Sequence, residues 1–153
     1  MDHFDSLRAQ LAAAIPFARH AGVEIVEIAD GAATTRLSQV EQLSNHIGSV
    51  HAGAIFTLGE TASAAAMVGA FAEVATMMRP LATAANITYL KLGRGLLTAR
   101  ARTDIAGAEL RRQLNAHGLV TFEVHIEVRD ERDHAIAQMV VAWRVTLPKP
   151  ASG

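Results

Sequence analysis

The sequence predicts an α+β domain in which an antiparallel β-sheet wraps around one long central α-helix. Three observations predict it. Residues 54–72 are rich in Ala, Leu, Met and Phe and apolar around most of the helical circumference, which marks a helix buried on all sides. Four strand-like segments follow, and strands segregated from helices in this way indicate α+β rather than alternating α/β architecture. Finally, residues 119–128 alternate without a break: Val120, Phe122, Val124, Ile126 and Val128 face one way, and Thr121, Glu123, His125 and Glu127 the other. That is the pattern of a half-buried antiparallel strand.

Taken in order, residues 5–14 place Leu7 and Leu11 among alanines, a short amphipathic helix stopped by Pro16. Residues 23–29 and 32–38 flank Asp30-Gly31, a dipeptide that favours a tight hairpin turn. A polar, irregular connection over 39–50 carries His46 and leads to His51. Within the long helix, Gly59, Gly69 and the alanines at 64–66 let other backbones approach closely, and Pro80 closes the segment. Residues 83–92 and 96–105 read as strands, with Gly93-Arg94-Gly95 between them as the turn of a hairpin. A polar link over 107–118 has room for one or two helical turns at 108–116. The last strand, 135–147, presents Met139, Val141, Trp143, Val145 and Leu147 on one face before Pro148 and Pro150 end it. A single domain therefore spans 1–147, with 148–153 a disordered tail.

Composition narrows the function. The chain has 153 residues and no cysteine, which excludes a thiol nucleophile, a disulfide framework and a thiolate metal site and fits a cytoplasmic protein. Fourteen Lys plus Arg against 15 Asp plus Glu give a net charge of −1, too little positive field to hold a nucleic-acid backbone. The longest apolar stretch contains Glu60 and Glu73; a membrane span there would strand a carboxylate near mid-bilayer. Nucleic acid and membrane are thus excluded as partners. No metal is expected either, since the spacing of His46, His51 and Glu60 matches no common ligand pattern. The neighbourhood of Ser49 lacks the Gly-x-Ser-x-Gly elbow of a serine hydrolase.

Glu60 is the residue that needs explaining. It lies among Phe56, Thr57, Leu58, Gly59, Ala62, Ser63 and Ala64, and an unpaired charge among such neighbours costs several kcal/mol. At helical spacing Thr57, Ser63, Ala64 and Met67 share its face and none is cationic. Either an arginine reaches in from elsewhere, or Glu60 faces a pocket. The polar run Ser44-Asn45-His46-Ile47-Gly48-Ser49-Val50-His51-Ala52-Gly53 leads directly into the helix. Its unpaired N–H groups and dipole favour negative charge there, so the helix start suits an oxyanion.

The spacing Asn45-x2-Gly48-x2-His51-Ala52-Gly53-x6-Glu60 is similar to the signature of hotdog-fold acyl-CoA thioesterases of the phenylacetate-degradation (PaaI-like) type. Asn86-Ile87-Thr88-Tyr89-Leu90 resembles that family's strand after the helix, and residues 130–143 its last hairpin, so the likeness covers most of the chain. The resemblance implies a hotdog fold and hydrolysis of an acyl thioester to free acid and coenzyme A, without a cofactor. Glu60 would act as general base or nucleophile and the Ala52 N–H would polarise the thioester carbonyl. Asn45 would position water or the carbonyl, and His51 would shape the loop or touch the thioester. Gly53, Ser63, Thr83 and Arg94 would line the substrate. In this family the carboxylate and the helix start come from different subunits, so a homodimer or a dimer of dimers is implied. Two positions depart from the pattern: Ala52 stands where the first of two glycines is usual, and Ala82 where a Ser or Thr is common, with Thr83 one residue off and expected on the opposite face.

Blander roles remain open for these residues. Glu60 can serve in an interface ion pair, His51 can cap the loop, and Asn45 can be a turn former. Lys91, Arg94, Arg100 and Arg102 are candidates for coenzyme A phosphates or a solvated strand face. Two other functions stay open: an acyl-thioester binder without turnover, and a 3-hydroxyacyl-thioester dehydratase or hydratase using His46, which lies 14 residues before Glu60.

Overall fold

The computed structural model describes residues 2–149. Residues 150–153 of the expected tail lie outside the described residues. The helices are α1 (His3–Ala14), α2 (Pro16–His20), α3 (Ala52–Ala70) and α4 (Gly107–His117). The strands are β1 (Glu24–Ala29), β2 (Ala32–Ser38), β3 (Arg79–Tyr89), β4 (Leu96–Thr103), β5 (Leu119–Arg129) and β6 (Ala135–Thr146). All six strands form one antiparallel sheet in the order β1-β2-β4-β5-β6-β3, curled around α3. This is the expected α+β architecture.

Several local expectations change. Pro16 does not merely stop α1; it opens α2 as its first residue, where a missing N–H costs nothing and the fixed φ suits a helix. Helix α4 runs for 11 residues, longer than one or two turns. Pro80 sits inside β3 rather than ahead of it, which an edge strand tolerates. The expected hairpin at Gly93-Arg94-Gly95 is absent: β3 pairs with β6, and β4 with β2 and β5. The connecting loop crosses the mouth of the sheet instead. It is held by Leu90 N–H to the Ile136 carbonyl at 2.8 Å and by Val50 N–H to the Gly93 carbonyl at 2.8 Å.

The core lies between the concave face of the sheet and α3. Leu37, Leu58, Leu97, Val124, Val128, Met139, Val141 and Val145 are fully buried there. The two edges of the sheet differ. Edge β1 has six residues, carries Glu24 and Glu27 and is covered by α1. Edge β3 has eleven residues, no charge after Arg79, and exposed Leu81 and Tyr89. Among the described residues no helix is long and apolar enough to cross a membrane.

Candidate active site

Helix α3 is buried along most of its length, and the exceptions are ordered. Only Ala52, Gly53, Phe56 and Glu60 escape full burial. Ala52, Phe56 and Glu60 are spaced by four, which on a helix makes a single stripe. The sheet covers α3 from the β2 and β4 side, and the β3 edge barely touches it. One side of the helix is therefore uncovered, and the lone carboxylate of α3 lies on it.

Among the described residues the Glu60 carboxylate has no ion pair and no hydrogen-bond partner. Partial burial without compensation pushes its pKa above the ordinary value of 4.5. Its helical neighbours explain why nothing offsets it. The Thr57 hydroxyl donates back to the Gly53 carbonyl at 2.9 Å. The Ser63 hydroxyl donates to Glu60's own backbone carbonyl at 2.7 Å and accepts from the Trp143 indole at 3.3 Å. Ser63 is fully buried, and through these two bonds it ties α3 to β6 beside Glu60.

The helix start is built by the loop before it. The Asn45 Oδ1 accepts the N–H groups of Ile47 and Ser49 at 3.1 and 3.0 Å, while its Nδ2 donates to the Ser49 hydroxyl at 2.7 Å. Asn45 thus folds its own loop through a side-chain turn, with one amide N–H left over. His51 is the N-cap of α3, its Nδ1 accepting the Gly53 N–H at 2.8 Å. An accepting Nδ1 leaves the ring proton on Nε2, so the exposed imidazole offers a donor outward. Gly53 makes this cap possible, because a Cβ there would press on His51 Nδ1 at 3.1 Å. The Ala54 and Ile55 N–H groups return to the His51 carbonyl. That leaves the Ala52 N–H without a partner among the described residues, at the positive end of the helix dipole.

Tyr89, at the end of β3, donates its hydroxyl to the Ala52 carbonyl at 3.0 Å and pins the open edge to the helix start. Sequence reading gave Tyr89 no role. No local signal could have, since the contact depends on β3 crossing to β6. Ser49 was missed as well, although an Asn followed four residues later by Ser is a legible loop-closing pattern. Thr83 sits at a bulge where register passes from Ala82–Trp143 to Ala84–Ala142, and its hydroxyl donates to the Ala142 carbonyl at 3.3 Å. The expectation that Thr83 faces opposite Ala82 assumed strict alternation, which an inserted residue breaks. Arg94 is exposed on the crossing loop; Gly95 N–H, next to it, donates to Gln39 Oε1 at 2.9 Å, so this loop flanks the site loop. His46 lies in an exposed turn without a hydrogen bond to these groups. Among the described residues no three His, Asp or Glu side chains gather as metal ligands.

One distance governs the chemistry. Eight residues separate Ala52 from Glu60, a rise of about 12 Å along the helix. Glutamate's reach cannot close that gap, so within one chain the carboxylate and the free amide cannot act on the same carbonyl carbon.

The antiparallel sheet curled around one long helix defines a hotdog protein. Residues 5–145 match the family described as domain of unknown function DUF4442, and the chain belongs to that family. Among solved structures, a Pseudomonas aeruginosa protein described as a probable thioesterase is 20% identical and covers 94% of this chain and 95% of its own, with a TM-score of 0.80. The Escherichia coli PaaI protein of the phenylacetic acid degradation operon is 21% identical, with coverage of 94% and 92% and a TM-score of 0.68. A hypothetical thioesterase from Streptococcus pneumoniae, solved with coenzyme A, is 18% identical, with coverage of 84% and 88% and a TM-score of 0.64. These likenesses establish the fold. No curated protein matches the chain in sequence.

Proposed function

We propose that the protein hydrolyses an acyl thioester of coenzyme A to the free acid and coenzyme A, as a homodimer in which Glu60 of one copy serves the α3 start of the other. The observation that carries this reading is Glu60 itself: an unpartnered, desolvated carboxylate on the one open stripe of a buried helix. A carboxylate raised toward neutrality by burial is better matched to removing a proton from water. The 12 Å spacing explains why two copies are needed. The long edge β3, charged only at Arg79, supplies a surface for the second copy, because the free N–H and C=O groups of an edge strand are a template for further pairing.

In this reading the thioester oxygen accepts the Ala52 N–H, with the His51 Nε2–H as a second donor. Glu60 takes the proton from a water molecule as that water attacks the carbonyl carbon, or attacks the carbon directly to form an anhydride that water then opens. The tetrahedral intermediate expels the thiolate, a thiol being far more acidic than an alcohol, so no strong acid is needed on the leaving group. Asn45 holds the loop that aims these donors, and Arg94 flanks the entrance where phosphates can be met. The coenzyme A bound to the Streptococcus pneumoniae relative supports the choice of carrier.

The test is thioester hydrolysis over a panel of acyl-coenzyme A substrates, comparing wild type with Glu60→Ala. The expected result is a loss of roughly 10²- to 10⁴-fold in kcat. Equal rates in both proteins, or none in either, would sink the hydrolase reading. Tight binding without turnover would instead make the site a sensor.

A further inference from the structure

A groove of about 670 Å³ opens beside the α3 start, between α2, the segment after β2 and the first turns of α3. That volume lies in the range of small-molecule sites. Phe17, Val40, Leu43 and Ala54 give it an apolar wall, and its end at α3 is formed by His51 and Gly53, the residues on either side of Ala52 and its free amide. None of its lining side chains carries a fixed charge. Phe17 is 68% exposed and Val40 49% exposed, although both are large and apolar. Both line the groove.

From this continuity we infer that the groove takes the acyl group of the substrate, and that Phe17 and Val40 select an uncharged, predominantly apolar acyl chain. The inference rests on the proposed reading for the identity of the ligand, but its location stands on the groove alone. A chain lying along the wall places its carbonyl at the His51–Gly53 end, within reach of the helix-start amide. A chain bearing a second carboxylate would lay that charge along an apolar wall whose lining offers no Lys or Arg, which is costly. Chain length should be read as added contact with the wall, each methylene strengthening binding roughly fourfold until the groove is filled.

The experiment separates binding from turnover by using S-alkyl-coenzyme A thioethers, which cannot be hydrolysed. Calorimetric titration of wild type, Phe17→Ala and Val40→Trp with a series of increasing chain length is expected to show three behaviours. In wild type, Kd falls roughly fourfold per methylene and then levels. In Val40→Trp the levelling comes several carbons earlier, while short thioethers bind as in wild type. In Phe17→Ala the slope per methylene is shallower. An ω-carboxylated thioether of equal length should bind wild type at least tenfold more weakly. Because both side chains are solvent-exposed, unchanged thermal midpoints are expected and serve as the folding control. Slopes that coincide in all three proteins, or no binding of any thioether, would overturn the inference. A length-dependent Kd altered by the variants in a protein that hydrolyses nothing would keep the groove and discard the hydrolase. Hydrolysis with coincident slopes would do the reverse.

Discussion

At its C-terminal end helix α3 is sealed; at its N-terminal end it is open. From Thr61 onward every residue is buried. The Ala70 carbonyl accepts from Arg111 of α4 at 2.8 Å, and Arg111 also pairs with Asp30 at 2.8 Å, so a cation meets the negative end of the dipole. The other end keeps a stripe uncovered and, among the described residues, leaves the Ala52 amide unpartnered and the Glu60 carboxylate without a counter-ion. Both halves are built from the same small apolar residues. The difference therefore does not reflect poor packing in general: one half of the helix holds the fold, and the other holds polar groups without a partner among the described residues.

That contrast predicts opposite responses to substitution. Glu60→Ala should cost roughly 10²- to 10⁴-fold in activity with no loss of thermal stability, because it removes a desolvated charge that nothing offsets. Gly69→Ala should do the opposite. A Cβ there would run into the Ala29 carbonyl and meet Ile28 Cγ2 at 2.9 Å, so a loss of about 1–3 kcal/mol is expected in denaturant unfolding, with kcat per folded molecule unchanged. A stable Gly69→Ala protein, or a destabilised Glu60→Ala protein, would break the comparison.

Acidity sharpens it further. Because burial raises the Glu60 pKa above 4.5 in the folded state, the native protein holds that proton more tightly than the unfolded chain. Folding stability from this group is therefore fully present below pH 4.5 and declines as pH rises through the folded pKa. Catalysis runs the other way, since the base must be ionised. The acid limb of kcat/KM should have its midpoint above 4.5, and Glu60→Gln should lose both that limb and the matching slope of stability against pH. An acid limb at or below 4.5 would contradict the placement of Glu60 in a desolvated site.

Much of the site was legible because its clues are local. A carboxylate inside an apolar helix, and a polar loop that ends on a histidine cap, can be read from neighbouring residues alone. Helix α3 and the alternating strand β5 were legible for the same reason: periodicity needs no knowledge of the fold. What escaped was non-local. Gly93-Arg94-Gly95 between two strand-like runs has the chemistry of a hairpin, and nothing nearby shows that Leu90 will bond to Ile136 and carry β3 to the far edge of the sheet. The Tyr89–Ala52 contact follows from that crossing and was hidden with it. The bulge at Thr83 likewise depends on the register with β6. Pro16 was misread because a fixed φ and a missing N–H suit the end of one helix and the start of the next equally well.

In the proposed dimer two copies complete the site, with Glu60 from one and the helix start from the other. Ala52→Pro removes the single free amide at a first-turn position where proline is well tolerated, and His51 before it already has the extended backbone, with φ −59° and ψ 140°, that a following proline requires. Ala52→Pro and Glu60→Ala should each be folded and nearly inactive alone. When their subunits are exchanged, about half the dimers are mixed, each with one intact site of two, so about a quarter of the wild-type rate should return. A rate that stays at the level of the separate variants, with mixed dimers shown to be present, would contradict the account.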